Sequence, residues 1–153
     1  MAARTIFTIG YEQATQGALV DALRAAGAKV LADIRYLPLS RRPGFSKSSL
    51  RAAVEEAGIA YRHFRNLGTP ADGRAAARRG DHAALARIYA GQLELPEALA
   101  QMAELRALSE QQPVALLCYE RRAIECHRSL LVKALLADFT EVDLEPDLLA
   151  AAR

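Results

Sequence analysis

The sequence predicts an α/β fold: a doubly wound, mostly parallel sheet of about five strands, with a helical excursion between strands three and four. Two observations predict it. Short segments rich in β-branched and aromatic residues alternate with amphipathic helical stripes. Two of the strand candidates, Val30–Ile34 and Val114–Leu117, are nearly continuous apolar runs, as is typical of strands buried on both faces of a parallel sheet. Because 153 residues is the usual size of one domain, we expect residues 1–153 to form a single α/β domain.

The first half of the chain contains two βα units and a third strand. Thr5–Tyr11 is predicted as a strand that ends at a Gly turn. Apolar residues recur at helical spacing over Leu19–Ala26 and again over Leu50–Ala57, and a glycine follows each stripe. Val30–Ile34 and Ile59–Phe64 are the second and third strands.

The second half begins with the helical excursion, Gly68–Gln112, in which Asp81 and Pro96 are suited to begin helices. After it we expect the buried strand Val114–Leu117, a helix from about Cys126 to Ala137, a last strand over Phe139–Leu144 and a short C-terminal helix. Strands that alternate with helices imply right-handed crossovers and helices on both faces of the sheet.

Composition excludes several classes of protein. With 52% hydrophobic and 25% charged residues, the chain is neither disordered nor of low complexity. No run approaches the about 20 apolar residues of a membrane span, and the first residues lack the pattern of a secretory signal. Two cysteines are too few for a disulfide framework. We therefore expect a cytoplasmic protein with reduced thiols and no membrane partner.

The net charge of +2 conceals an uneven distribution. Residues 34–79 contain ten Lys/Arg and three acidic residues, a net +7, so the rest of the chain carries −5. Five of the basic residues lie in a stretch without any acid: Arg35, Arg41, Arg42, Lys47 and Arg51. This asymmetry indicates an anionic partner, either a small molecule or a nucleic acid, although a solvated basic face would also account for it.

Polar residues follow several predicted strands at the point where each strand ends. They are Gly10 and Tyr11 after the first strand, Asp33 and Arg35 at the second, and Cys118 and Glu120 at the fourth. In an open α/β sheet, ligands bind outside the carboxyl ends of the strands. We therefore expect these residues to form one site, while Asp33 and Arg35 could also form a structural ion pair.

The strongest local signal is Cys118-Tyr-Glu120 followed by Cys126-His127-Arg128, where a helix is predicted to begin. A helix N-terminus binds anions and lowers the pKa of a thiol placed there, so Cys126 is a candidate thiolate. His127 and Arg128 could pair with a phosphate or carboxylate, and Glu120 could act as a general base.

Structural and metal-binding roles are also compatible with these side chains. Cys118 continues an apolar run and could be a small buried hydrophobe. A metal site of Cys118, Glu120, Cys126 and His127 is possible in ligand type, but there is no CxxC pair, and adjacent Cys126 and His127 should point in different directions on a helix. The sequence therefore assigns no metal ligands.

Taken in order, these motifs resemble the family known as domain of unknown function 488. The matching pieces are Thr8–Tyr11, Asp33–Arg35 with Pro38 and Ser40, Phe45, Tyr61, Leu67–Gly68, Cys118–Glu120 and Cys126–Arg128. The resemblance spans about Thr5 to Leu144 and departs at Tyr11, where members often carry His. The resemblance implies a compact α/β fold and a site shared with the family, but it implies no particular activity.

Our leading hypothesis is the binding or processing of a phosphate-bearing ligand, a nucleotide or nucleic acid, at the carboxyl edge of the sheet. A second hypothesis is a thiol-dependent enzyme, for sulfur transfer or redox chemistry, with Cys126 or Cys118 as the nucleophile. A third is a metal-binding protein. The sequence makes no prediction about a cofactor.

Overall fold

The computed structural model describes residues 4–148. They form five strands, six α-helices and two short 3-10 turns. The strands are β1 (Thr5–Gly10), β2 (Val30–Asp33), β3 (Ala60–His63), β4 (Val114–Cys118) and β5 (Thr140–Leu144). The helices are α1 (Gln16–Ala26), α2 (Lys47–Glu56), α3 (Ala71–Arg79), α4 (His82–Leu93), α5 (Pro96–Gln111) and α6 (His127–Leu135), and the 3-10 turns are Arg65–Leu67 and Ala123–Glu125.

The five strands make one sheet in the order β3-β2-β4-β1-β5, and every pairing is parallel. The register places Gly10 opposite Cys118, and Asp33 opposite both Leu117 and His63. The predicted α/β fold with a parallel sheet of five strands is therefore confirmed.

Helices cover both faces of the sheet, as the term doubly wound implies. Because side chains alternate along a strand, Leu31 and Leu117 face α1 and α2, whereas Ala32 and Leu116 face α5 and α6. Both sets are fully buried. The apolar runs of β2 and β4 thus result from cores on both sides of the sheet.

The helical excursion between β3 and β4 is also present, and it consists of α3, α4 and α5. The Asp81 carboxylate accepts a hydrogen bond from Ala84 N at the start of α4, and Pro96 occupies the first turn of α5, as expected. The structure adds α3, which the sequence did not resolve as a separate helix.

Two expectations about boundaries need correction. The last helix begins at His127, with Cys126 as its N-cap residue, and ends at Leu135. Residues 145–147 form no regular element and Leu148 makes one bridge to Ala14, while the rest of the expected C-terminal helix lies outside the described residues. Within residues 4–148, no helix is both long and apolar enough to cross a membrane.

Candidate functional site

The site lies where the direction of chain winding changes. β1 and β4 are neighbours in the sheet, yet the helix that follows β1 covers one face and the helix that follows β4 covers the other. In such sheets the crevice at this point, outside the carboxyl ends of the strands, is the usual ligand position. Hydrogen bonds fix both loops: Glu12 N donates to Tyr119 O (2.9 Å), and Arg121 N donates to a Glu12 carboxylate oxygen (2.9 Å).

This crevice contains a cavity of about 350 Å³. Side chains from the carboxyl edge of the sheet line its floor, and side chains from α3, α4 and the loop after β2 line its walls. The lining residues are Tyr11, Arg35, Tyr36, Leu37, Leu39, Thr69, Arg74, Ala77, Arg78, Leu85, Cys118, Tyr119, Glu120, Cys126 and His127.

The structure brings together most of the residues that the sequence singled out. Tyr11, Arg35, Cys118, Glu120, Cys126 and His127 reach the cavity. Gly10, Asp33 and Arg128, which we expected to contact a ligand, do not line it. Gly10 packs against the backbone of Glu120, Asp33 is covered by Arg35 and Tyr61, and Arg128 lies beneath the loop after β4.

The two thiols meet at the cavity floor. Cys126 has an extended backbone, with φ −135° and ψ −172°, and its Sγ accepts the backbone N–H of Arg128 at 3.2 Å. This turns its side chain toward Cys118, so that the two Sγ atoms are 2.6 Å apart. Burial is not confined to Cys118, which continues the apolar run of β4: each of the two cysteines is 2% exposed.

Burial changes the acid–base properties of the cavity floor. It raises the pKa of the Cys118 thiol well above its ordinary value, and the hydrogen bond to Cys126 adds to this. Burial also raises the pKa of Glu120, whose carboxyl oxygen lies 3.7 Å from the Cys118 sulfur. A raised pKa favours the protonated carboxyl, so Glu120 is better suited to donate a proton than we expected from the sequence.

His127 is a neutral side chain in this structure. Its ring packs edge-on against Tyr89, and burial lowers its pKa to about 4. Its Nε2 lies 2.8 Å from the Ile34 carbonyl oxygen. Because a carbonyl only accepts hydrogen bonds, Nε2 carries the proton and the lone pair is on Nδ1. His127 therefore cannot serve near neutral pH as the cationic phosphate partner that we expected.

The Arg128 side chain is fully buried beneath the loop after β4. Its Nη2 donates to the Glu120 carbonyl oxygen at 2.6 Å, while Nε and Nη1 have no hydrogen-bond partner among residues 4–148. Burial acts to lower the pKa of this guanidinium, but its electrostatic interaction with the ionisable groups around it, Cys118 first, raises that pKa above its ordinary value. Arg128 is therefore a fixed positive charge close to both sulfurs, rather than a direct ligand of a molecule in the cavity.

The structure contains the ion pair that the sequence left open at β2. The guanidinium of Arg35 binds Asp33 through two bonds, Nε to Oδ1 at 2.8 Å and Nη2 to Oδ2 at 2.7 Å. Its Nη1 donates to the Phe45 carbonyl at 2.6 Å, and Tyr61 donates its hydroxyl proton to Asp33. Arg35 thus reaches the cavity with most of its donors already used, which makes it chiefly structural.

The basic residues of the stretch without acids also have partners within the protein that the sequence did not show. Besides Arg35, Arg42 donates to the Tyr11 and Ala14 carbonyls and covers the Phe45 ring. Arg51 pairs with Glu55 one helical turn later, at 3.1 Å. Three of the five basic residues therefore have partners within the protein.

Two cationic residues of the cavity wall, Arg74 and Arg78, were not among the residues predicted from the sequence. They lie four positions apart on α3, so they share one face of that helix. Arg74 Nη1 donates to the Thr69 carbonyl at 2.9 Å, and its guanidinium lies 5.9 Å from the centre of the Tyr36 ring. Their spacing was visible in the sequence, but nothing there showed that α3 folds over the carboxyl edge of the sheet.

The structure also changes the assessment of a possible metal site. Each of Cys118, Cys126 and His127 offers one ligand atom, and the three atoms lie within 4.8 Å of one another. The expectation that Cys126 and His127 would point apart was wrong, because Cys126 is not inside the helix and its extended backbone redirects its side chain.

The fold and the site define a class: an α/β protein with a parallel sheet and a thiol-containing cavity at its topological switch point. The chain belongs to the domain of unknown function DUF488 family, whose model matches residues 15–135. The match includes both thiols, Asp33 and Arg35, and it begins after Tyr11. No curated protein and no solved structure matches the chain.

Proposed function

We propose that this protein binds or processes a small phosphate-bearing ligand of the nucleotide class in the cavity after β1 and β4. One observation carries the proposal: three guanidinium groups, those of Arg35, Arg74 and Arg78, line a cavity whose lining has a single carboxyl group, Glu120. The raised pKa of Glu120 reduces its negative charge, which leaves the lining favourable for an anion.

Arg74 and Arg78 are the phosphate partners in this proposal. Asp33 already neutralises Arg35, whereas Arg74 makes one bond to a backbone carbonyl and Arg78 is exposed at the cavity wall. Guanidinium groups bind phosphate oxygens through paired N–H donors, so two of them on one helix face suit a phosphate group.

The cavity rim is apolar and aromatic, which favours a ligand with a flat apolar part. Leu37, Leu39 and Tyr119 are about half exposed or more, and the Tyr36 ring in the same lining lies 5.9 Å from the Arg74 guanidinium. A nucleobase can stack on such side chains while its phosphate reaches the arginines. A cavity of about 350 Å³ suits a mononucleotide, and the internal partners of Arg35, Arg42 and Arg51 argue against an open nucleic-acid surface.

The experiment is calorimetric titration of the full chain with inorganic phosphate, nucleosides and their mono- and triphosphates. We expect nucleotides to bind more tightly than nucleosides. Arg74→Ala and Arg78→Ala should each weaken binding roughly ten- to a hundredfold, since a hydrogen bond to a charged group is worth ~1.5–3 kcal/mol and each ~1.4 kcal/mol is a factor of ten. Arg51→Ala, which removes an arginine outside the cavity, is the matched control. Equal affinity for nucleosides and nucleotides would refute the phosphate proposal, and binding of oligonucleotides alone would favour the nucleic-acid version.

A second candidate is thiol-dependent chemistry at the same site, and the contact of the two sulfurs favours it. One thiolate would attack a sulfur of the ligand's disulfide and release a thiol. The second would then attack the mixed disulfide, which releases the other thiol and leaves a Cys118–Cys126 disulfide.

Iodoacetamide labelling read by mass spectrometry tests this chemistry: phosphate or nucleotide should slow labelling, and a ligand that carries a disulfide should block it. This chemistry requires that both cysteines are reduced before the ligand binds. It therefore depends on the cytoplasmic location that we expect from the sequence.

A further inference from the structure

We propose that Cys118, Cys126 and His127 bind a divalent metal ion of the zinc class, with one coordination position open to the cavity. This inference goes beyond the binding of a phosphate-bearing ligand and does not depend on it. It is an alternative to the thiol-enzyme candidate, because sulfurs bound to a metal are not free nucleophiles.

The first argument is convergence. The three ligand atoms come from two places, the end of β4 and the start of α6, and they lie within 4.8 Å of one another. Two thiolates and an imidazole are a ligand set that zinc uses in proteins, whereas magnesium and calcium require oxygen. All three residues are buried, so few water molecules compete for the ion.

The second argument is the orientation of His127. Its Nε2 proton is held by the Ile34 carbonyl at 2.8 Å, which leaves the Nδ1 lone pair free, and Tyr89 packs against the ring. Histidines that bind metals almost always donate their other ring N–H to a carbonyl or carboxylate in this way. A thiol nucleophile by itself would not require this arrangement.

The third argument is the contact between the two sulfurs. Their Sγ atoms lie 2.6 Å apart, so a small rotation of the two side chains lets a single ion bind both sulfurs. Thiolate sulfurs are ligands that zinc prefers in proteins. The N–H of Arg128 bonded to Cys126 and the buried Arg128 guanidinium both offset the negative charge of two thiolates.

The fourth argument concerns the open position. Cys118, Cys126 and His127 all line the cavity, so an ion held by them faces its interior. Zinc sites with three protein ligands keep a fourth position for water or substrate, and such sites are catalytic rather than structural. Glu120 lies beside this position, with a carboxyl oxygen 3.7 Å from the Cys118 sulfur, where it can exchange a proton with bound water.

Elemental analysis of the full chain tests the proposal, with protein expressed in zinc-supplemented medium and purified without chelator. We expect about one equivalent of zinc per chain. Cys118→Ser, Cys126→Ser and His127→Gln should each lower zinc affinity by more than the ~10–100-fold that changes around the ligands cost. Glu120→Gln should retain the metal. His63→Gln is the matched control, because His63 also places Nε2 2.8 Å from a backbone carbonyl, that of Arg35, but is not part of the cluster.

Cobalt substitution gives a readout independent of activity and of zinc content. Chelated protein titrated with Co²⁺ should develop a sulfur-to-cobalt charge-transfer absorption at one equivalent, and Cys118→Ser should lose much of that absorption. Circular dichroism shows whether each variant is folded, and Cys126→Ser keeps an acceptor at the helix cap. Zinc far below one equivalent together with no cobalt–thiolate absorption in the folded wild-type chain would overturn the proposal, as would a Cys118–Cys126 disulfide that persists under reducing purification. Loss of nucleotide binding alone would not affect it.

Discussion

Gly10 lies directly against the backbone of Glu120. A Cβ atom placed on Gly10 would be 1.8 Å from the Glu120 carbonyl oxygen and 2.8 Å from Nη1 of Arg128. Real Cβ atoms essentially never approach another heavy atom within 3.0 Å, and the contact with the Glu120 backbone is far inside that limit. The ends of β1 and β4 can therefore approach each other at the switch point only because residue 10 has no side chain.

We predict that Gly10→Ala destabilises the protein by roughly 1–3 kcal/mol or more, since the clash is with backbone and a buried guanidinium that cannot easily move. Urea unfolding measures this change. Gly17→Ala is the control: this glycine is in α1 with nothing near its Cβ position, so alanine there should stabilise by ~0.5–1 kcal/mol. Equal effects of the two substitutions would show that residue 10 lies further from the Glu120 backbone than described.

The buried pair of Asp33 and Arg35 gives a second prediction. Asp33→Asn should cost about 3–5 kcal/mol in the free energy of unfolding, because it leaves the Arg35 guanidinium buried without its anion. Glu55→Gln removes the partner of Arg51 on the exposed face of α2 and should cost at most about 1 kcal/mol. Urea titrations of both variants test the contrast, and a small loss for Asp33→Asn would mean that solvent reaches this pair.

The elements that could be predicted from the sequence are those with a strong local pattern. Val30–Asp33 and Val114–Cys118 are buried along their whole length, and their apolar runs, together with the alternation of strands and helices, placed Asp33 and Cys118 at one edge of a parallel sheet. The parts of the site that could not be predicted from the sequence depend on tertiary folding. No local pattern shows that α3 brings Arg74 over this edge, or that an extended residue 126 turns its sulfur toward Cys118.

A third prediction concerns alkaline pH. Burial, with the nearby Asp33 carboxylate, raises the pKa of Tyr61 above its ordinary 10.0. The folded protein therefore keeps this proton where the unfolded chain loses it, so the stability contribution is complete below about pH 10 and is lost as pH rises further. Tyr61→Phe should flatten the fall in unfolding free energy above pH 10. Tyr119→Phe, which changes a half-exposed ring, should alter that slope less, and identical slopes for Tyr61→Phe and wild type would contradict the assignment.

The last prediction concerns Cys126 as the N-cap of α6. Its sulfur accepts the backbone N–H of Arg128 at 3.2 Å, which satisfies one of the donors that every helix leaves free at its start. Serine also caps well and alanine does not, so Cys126→Ala should be less stable than Cys126→Ser by about 1 kcal/mol.

Unfolding in urea with a chelator present measures this difference without any contribution from a bound metal. Thr15→Ala is the positive control, because the Thr15 hydroxyl accepts the Ala18 N–H at the start of α1 and its loss should cost a similar amount. Cys118→Ala and Cys118→Ser supply the matched comparison at a buried thiol that caps no helix. At residue 118 the alanine variant should be more stable than the serine variant, since a serine hydroxyl at the end of an apolar strand is harder to bury than a methyl group. If alanine is at least as stable as serine at both positions, the sulfur of Cys126 does not cap the helix, and the start of α6 must be held by other contacts.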